Sequence, residues 1–264
     1  MLRWKSTVCL KCRKAVTAAL DWLTARPIAH RGLHDAALGI IENTAAAMRA
    51  ALTAGYGIEV DLQVSADGEA MVHHDDVLGR LTEGGGRLDR INAADLKRVP
   101  FLRSDARMIT LGELCDLVDG RVPIFPELKS RFDGDPQLPL RVATVLFGYR
   151  GPVAPMSFDP MQLQVLRQKA PTLPRGIVAA KYRPHPYWDQ MPPWLRHCMG
   201  SLLPALPCRP QFVAFAIDNL PALAPFLAQH ILRLPLLTWV VRTAADRQRA
   251  ERFADQMIFE SLRP

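Results

Sequence analysis

The sequence has no apolar run long enough to cross a bilayer as a single helix. It has no low-complexity tract, and charged residues make up only 22% of it, which excludes a chain that stays unfolded in water. Acidic residues are missing before Asp21, whereas Arg3, Lys5, Lys11, Arg13 and Lys14 all precede it. Those five residues carry most of the net charge of +7. The rest of the chain is close to neutral and shows no basic stripe, which argues against a nucleic-acid partner. Lys11, Arg13 and Lys14 also interrupt the place where the apolar core of a secretory signal would lie. Cysteine is sparse: five residues, an odd count without framework spacing, as expected in a reducing compartment such as the cytoplasm. Cys9 and Cys12 have redox or half-zinc spacing, but no second ligand pair completes a site, so they read as two small helix residues.

What is present is length and apolar content. A chain of 264 residues, 49% of them hydrophobic, can bury one sizeable core. Residues 8–23 place Cys9, Cys12, Val16, Leu20 and Leu23 on one helical stripe with the basic residues largely off it. This predicts a basic amphipathic helix over residues 1–24, plugging the base of the fold or lying on an anionic membrane through residues 1–22. Beyond it, eight β-type runs recur, near residues 27–30, 57–61, 121–129, 152–158, 175–179, 211–216, 235–241 and 255–259. Helix-like segments such as Thr44–Thr53, Pro160–Lys169 and Ala244–Phe253 lie between them. Strand and helix alternating eight times predict an α/β fold, a closed (β/α)₈ TIM barrel over residues 25–264, with an open doubly wound sheet as the alternative. The run Glu69–His74 follows its neighbour too closely for a parallel crossover, and Asp67-Gly68 signals a two-residue hairpin instead. That turn pairs residues summing to 135, so His74 is expected opposite Asp61 while His73 points away.

The barrel rule brings the C-terminal ends of strands to one mouth. That mouth should receive His30, Arg31, Glu59, Asp61, Glu127 and Lys129, with His74 arriving from the hairpin arm. Glu59 and Asp61 sit at i and i+2 of one strand and share a face, so their like charges need a cation between them. Three carboxylates, Glu59, Asp61 and Glu127, are hard oxygen ligands suited to Mg²⁺ or Ca²⁺ more than to zinc. His30 and His74 can serve as acid and base near neutral pH. Arg31 and Lys129 can hold an anion, most simply a phosphoryl group.

The order and spacing of His30-Arg31-Gly32, Glu42-Asn43-Thr44, Glu59-x-Asp61, Asp67-Gly68, His74-Asp75 and Glu127-x-Lys129 resemble the glycerophosphodiester phosphodiesterases. The likeness continues through Ser157-Phe158, the strand of Trp239 and Asp255-x-x-Ile258, covering roughly residues 27–263. It implies a TIM barrel related to phosphatidylinositol phospholipase C, with a small insertion at about 80–115. It also implies hydrolysis of glycerophosphodiesters, small-molecule substrates, to glycerol 3-phosphate and an alcohol with Mg²⁺ or Ca²⁺. Glu59, Asp61 and Glu127 would then be metal ligands and His30 and His74 acid and base, with Arg31, Lys129 and Trp239 on the substrate. The chain departs from the pattern at Met156 and at Val240-Val241-Arg242, none of them a metal or acid/base position. Two rivals remain: a lysophospholipase D acting at a membrane surface, suggested by residues 1–22 and the Pro- and Trp-rich segment 182–210, and a non-catalytic phosphodiester-binding module. The sequence specifies no oligomeric state.

Overall fold

Strands buried on both faces form the centre of the computed structural model, which describes residues 20–181 and 193–264. All five residues of β4 (Ile124–Leu128) and all four of β6 (Gly176–Ala179) are buried, as are the first six of β2 (Gly57–Val64). Such continuous burial is the mark of parallel strands covered by helices. β1 (Ile28–Ala29) pairs with β2, which pairs with β4; β5 (Met156–Ser157), β6 and β7 (Phe212–Ala216) follow. β8 (Leu236–Val241) and β9 (Gln256–Phe259) complete the ring, and β9 pairs back onto β1. The result is a closed barrel of eight parallel strands, which corrects the open-sheet alternative.

Helices α1 (Ala45–Ala54), α3 (Leu111–Val118), α4 (Gln137–Phe147), α5 (Pro160–Lys169), α6 (Pro193–Gly200), α7 (Leu223–His230) and α8 (Ala244–Phe253) return the chain between strands. Their ends are chemically marked. Thr44, Thr110, Asp159 and Thr243 accept backbone N–H bonds at N-termini, and Gly55 closes α1 in the left-handed region. Among the described residues no helix is long and apolar enough to cross a membrane.

The hairpin arm departs from the expected register. β3 (Ala70–Val72) pairs Leu62 with Val72, Gln63 with Met71 and Val64 with Ala70, one residue short of the two-residue-turn pairing. The cause is Gly68, at φ +80°, which makes the loop three residues long, Ala66-Asp67-Gly68, between paired Ser65 and Glu69. Asp67 stiffens this loop by accepting from the Ser65 hydroxyl and from Ala93 N. The arm's other face packs on the insertion, where Met71, Leu78, Leu88, Leu96, Phe101 and Met108 form a separate small core that includes the short helix α2 (Ala93–Leu96).

The base of the barrel is filled by Ile28, Phe125, Met156, Phe212, Leu237 and Ile258, with Leu23 fully buried against them and Leu20 and Trp22 alongside. Leu20 and the 3₁₀ turn Asp21–Leu23 thus cover the barrel floor, and the rest of the amphipathic segment lies outside the described residues. Gly176 is required here by packing. A Cβ on it would stand 2.2 Å from the ring of the fully buried Phe212. Gly176→Ala should therefore overpack the floor and lower stability by about 1–3 kcal/mol, read as a reduced denaturant midpoint with unchanged m-value. An unaltered midpoint would show that Phe212 can retreat.

Candidate active site

The upper half of the barrel interior is charged because two strands alternate carboxylates inward. β2 contributes Glu59 and Asp61, and β4 contributes Glu127 directly beside Asp61, followed by Lys129. Glu59 and Asp61 are 1% exposed and Glu127 8%. Each offers an oxygen within 4.8 Å of the others. The positive partner between them is Lys129, whose Nζ lies 2.8 Å from Asp61 Oδ1 and 2.7 Å from Glu127 Oε1. Arg31 adds a second cation, with Nε 3.1 Å from Asp61 Oδ2 and Nη1 2.7 Å from Glu42 Oε1.

The loops that carry these groups are shaped for the task. Arg31 and Gly32 both have positive φ, and a Cβ on Gly32 would stand 2.9 Å from Ala47. That turn aims Arg31 N at Glu59 Oε2 (2.8 Å), while Asn43, also at positive φ, donates through Nδ2 to Asp61 Oδ2 (2.8 Å). Glu59 Oε1 is left buried with no hydrogen-bond partner. Burial, then the charges of Asp61 and Glu127, push the Glu59 carboxyl well above the ordinary range against the pull of Arg31. Asp61 goes the other way. Burial would raise it, but Lys129 and then Arg31 hold it well below the usual carboxylate range. A buried oxygen with no donor, among three converging carboxylates, fits an added divalent cation, which Glu59, Asp61 and Glu127 could hold.

The two histidines share one construction. His30 Nδ1 lies 2.6 Å from Glu260 Oε2, and Arg242 donates to the other oxygen of that carboxylate. His74 Nδ1 lies 2.7 Å from Asp75 Oδ1, and Arg80 donates to the other oxygen of Asp75. In both, Nδ1 is engaged by an arginine-braced carboxylate, which leaves Nε2 for a substrate proton. Burial lowers the His30 pKa, with the Glu260 bond opposing it. Arg80 also reaches Glu42 at 2.7 Å, so ion pairs link Asp75, Arg80, Glu42, Arg31 and Asp61 in series.

A cavity of about 770 Å³ opens above, lined by His30, Arg31, His74, Glu127, Lys129 and Trp239 among others, with Glu59 and Asp61 buried behind Arg31 and Lys129. Trp239 is fixed by Nε1 donating to Ala214 O (3.1 Å) and by edge-on contact with Phe158. All eight sequence-predicted site residues therefore converge on one mouth. His74 reaches it for a different reason than expected, because the strand ends at Val72 and the chain bends at His74. His73, whose N–H bonds Asp61 O, turns its ring to Phe101 in the insertion core. Sequence reasoning missed Glu260, Asp75, Arg80 and Asn43 as site residues. Asn43 and Asp75 lay within the Glu42-Asn43-Thr44 and His74-Asp75 motifs and Glu260 stood immediately after the last strand, whereas Arg80 carried no signal.

The structure defines a class of closed parallel barrels with two carboxylate-braced histidines above a carboxylate cluster at the mouth. Residues 30–254 match the glycerophosphoryl diester phosphodiesterase family, and the chain belongs to it. The mouse glycerophosphodiester phosphodiesterase 1 is 32% identical over 144 residues, 50% of this chain and 42% of that protein. A glycerophosphodiester phosphodiesterase of Caldanaerobacter subterraneus is 29% identical over 161 residues, covering 57% of this chain and 65% of that one. The match thus spans less than half of the mouse protein's length. The barrel superposes on a phosphodiesterase of Oleispira antarctica solved with the product sn-glycerol-3-phosphate, at a TM-score of 0.68 and 19% identity, covering 88% of this chain and 91% of that one. A glycerophosphodiester phosphodiesterase of Agrobacterium tumefaciens gives a TM-score of 0.65 at 23% identity, covering 88% of this chain and 95% of that one.

Proposed function

We propose that this protein hydrolyses glycerophosphodiesters to glycerol 3-phosphate and an alcohol, with Mg²⁺ or Ca²⁺ as cofactor. The observation that carries the proposal is the pair of carboxylate-braced histidines, His30 and His74, lining one cavity above the carboxylate cluster. A phosphodiester at neutral pH repels hydroxide and has a poor alkoxide leaving group. Cleavage needs charge neutralised at phosphorus, a base on the attacking oxygen and an acid on the departing one. A divalent cation held by Glu59, Asp61 and Glu127 would draw charge from a phosphoryl oxygen. Arg31 and Lys129 line the cavity as further cations for the phosphate. Nε2 of one histidine takes the proton of the nucleophile, and Nε2 of the other protonates the leaving oxygen. The nucleophile is water or the neighbouring glycerol hydroxyl. Glu260 and Asp75 keep each ring oriented, and the Glu260 bond opposes the burial that lowers the His30 pKa. The expected result is release of glycerol 3-phosphate and free alcohol from a panel of glycerophosphodiesters with Mg²⁺ or Ca²⁺. Binding without turnover of any diester would instead favour a non-catalytic module.

A second reading, cleavage of lysophospholipids at a membrane, is favoured by one observation. The outward face of α7 and the residue that ends it are apolar: Leu223, Phe226, Leu227 and, just past the helix, Ile231 are exposed, Leu223 by 72%. Faster hydrolysis of vesicle-borne lysophospholipid than of soluble diesters would decide for it. Of the segments that first suggested this reading, residues 1–19 and 182–192 lie outside the described residues.

A further inference from the structure

The cavity extends away from the histidines to a corner between the loop after β4 and the first turn of α5. Gln162 forms its inner wall and is only 4% exposed. Its Nε2 donates to Asp135 O at 3.0 Å, which fixes the amide orientation and makes the other end the carbonyl oxygen. That Oε1 is buried and has no hydrogen-bond partner. Asp133 and Asp135 line the same cavity. Asp133 accepts the backbone N–H of Asp135, and Asp135 accepts from the backbone and side-chain amides of Gln137. Neither has a cationic partner among the described residues. Arg131, close by in the chain, is committed to Asp76 and Asp89. The corner therefore presents two carboxylates without counter-charge and one buried acceptor without a donor. Both deficits ask for the same thing, a cation that carries hydrogens.

We infer that this corner receives the alcohol arm of the diester and selects an arm ending in a primary ammonium, the ethanolamine class. The inference rests on the reading of the chain as a glycerophosphodiester hydrolase. A primary ammonium brings three donors, one for Gln162 Oε1, and a charge for Asp133 and Asp135. A quaternary ammonium brings charge but no donor, a polyol brings donors but no charge, and a serine arm adds a carboxylate that the two aspartates repel. The competing element is aromatic. Phe158 and Trp239 line the same cavity, and ring faces are suited to quaternary ammonium.

The test compares glycerophosphoethanolamine, glycerophosphocholine and glycerophosphoglycerol on the Mg²⁺-loaded protein. The ethanolamine diester should be favoured over the choline diester by about tenfold in kcat/KM, the usual weight of one charge-assisted hydrogen bond. Gln162→Leu and the isosteric, exposed Asp133→Asn should each bring that ratio toward one. Calorimetry on Mg²⁺-loaded His74→Ala protein, where turnover is slow, measures the same preference as dissociation constants. If the wild type hydrolyses none of the three, the proposed function fails, and the calorimetric ratio still decides the corner. Equal constants for the two ammonium diesters, a preference for choline, or a ratio unmoved in both variants would overturn the inference. A choline preference would assign the arm to the faces of Phe158 and Trp239.

Discussion

Alanine at His30 or at His74 is expected to lower kcat by about 10²–10⁴ with the fold intact, the range for loss of a general acid or base. Both histidines line the cavity, and neither carries the core: His30 reaches out to Glu260, and His74 stands on a bend that β3 has already left. Thermal midpoints of the two variants should therefore stay near that of the wild type while turnover collapses. His73→Ala should show the reverse pattern. Its ring is 1% exposed and sits against Phe101, so its removal opens a cavity in the insertion core and lowers stability. Because the ring faces the insertion core and not the cavity, turnover by the surviving folded protein should be largely unaltered. Glu260→Gln tests the bracing separately. It keeps a hydrogen-bond acceptor for His30 Nδ1 but removes the charge that stabilises an imidazolium, so kcat should fall less than in His30→Ala. If His73→Ala proved the damaging change for turnover and His74→Ala did not, the acid/base assignment would have to move to the neighbouring residue.

That contrast also shows how far the sequence carries. All eight barrel strands were legible, because parallel strands covered on both sides leave dense apolar runs, and Pro, Gly and helical periodicity separate them. The inward pairing of Glu59 with Asp61 and of Glu127 with Lys129 was legible as well, since period-two alternation is a local property. The hairpin register was not. Asp67-Gly68 is compatible with a two-residue turn or with a three-residue loop ending in a left-handed Gly68, and the choice depends on contacts such as Asp67 with Ala93 N, twenty-six residues away. The position of His74 survived that error only because its chain bends out of the strand. The contacts of Glu260 and Arg80 were hidden for a related reason. Glu260 meets His30 across 230 residues, and Arg80 meets Glu42 across 38. Apart from the place of Glu260 just after the last strand, nothing in a local pattern separates such residues from an ordinary solvated charge.

The remaining large effect is metal dependence, and Glu59→Gln exposes it most cleanly. Exhaustive chelation should abolish turnover, and Ca²⁺ or Mg²⁺ should restore it better than Zn²⁺, as expected for three hard oxygen ligands. Binding can be followed without activity, because an ion that binds only the folded chain raises the thermal midpoint as its concentration rises. Among the three carboxylates, Asp61 is a poor position to test. It pairs with Lys129, Arg31 and Asn43, so its removal would strand two buried cations and destabilise the barrel. Glu59 is different. One of its oxygens has no partner, the other accepts only Arg31 N, and its charge is opposed by Asp61 and Glu127. Glutamine there removes a repelled charge while keeping shape and the acceptor for Arg31 N. The metal-free variant should therefore be at least as stable as the metal-free wild type. Its stabilisation by added Ca²⁺ or Mg²⁺ should shrink, and turnover at a fixed cation concentration should drop by about 100-fold or more, since even the residues that merely orient metal ligands cost 10–100-fold when lost. A protein made more stable yet unable to turn over is the signature of a carboxylate kept for a cation. Full turnover after chelation, or an undiminished cation-induced rise in the midpoint of Glu59→Gln, would remove Glu59 from the ligand set.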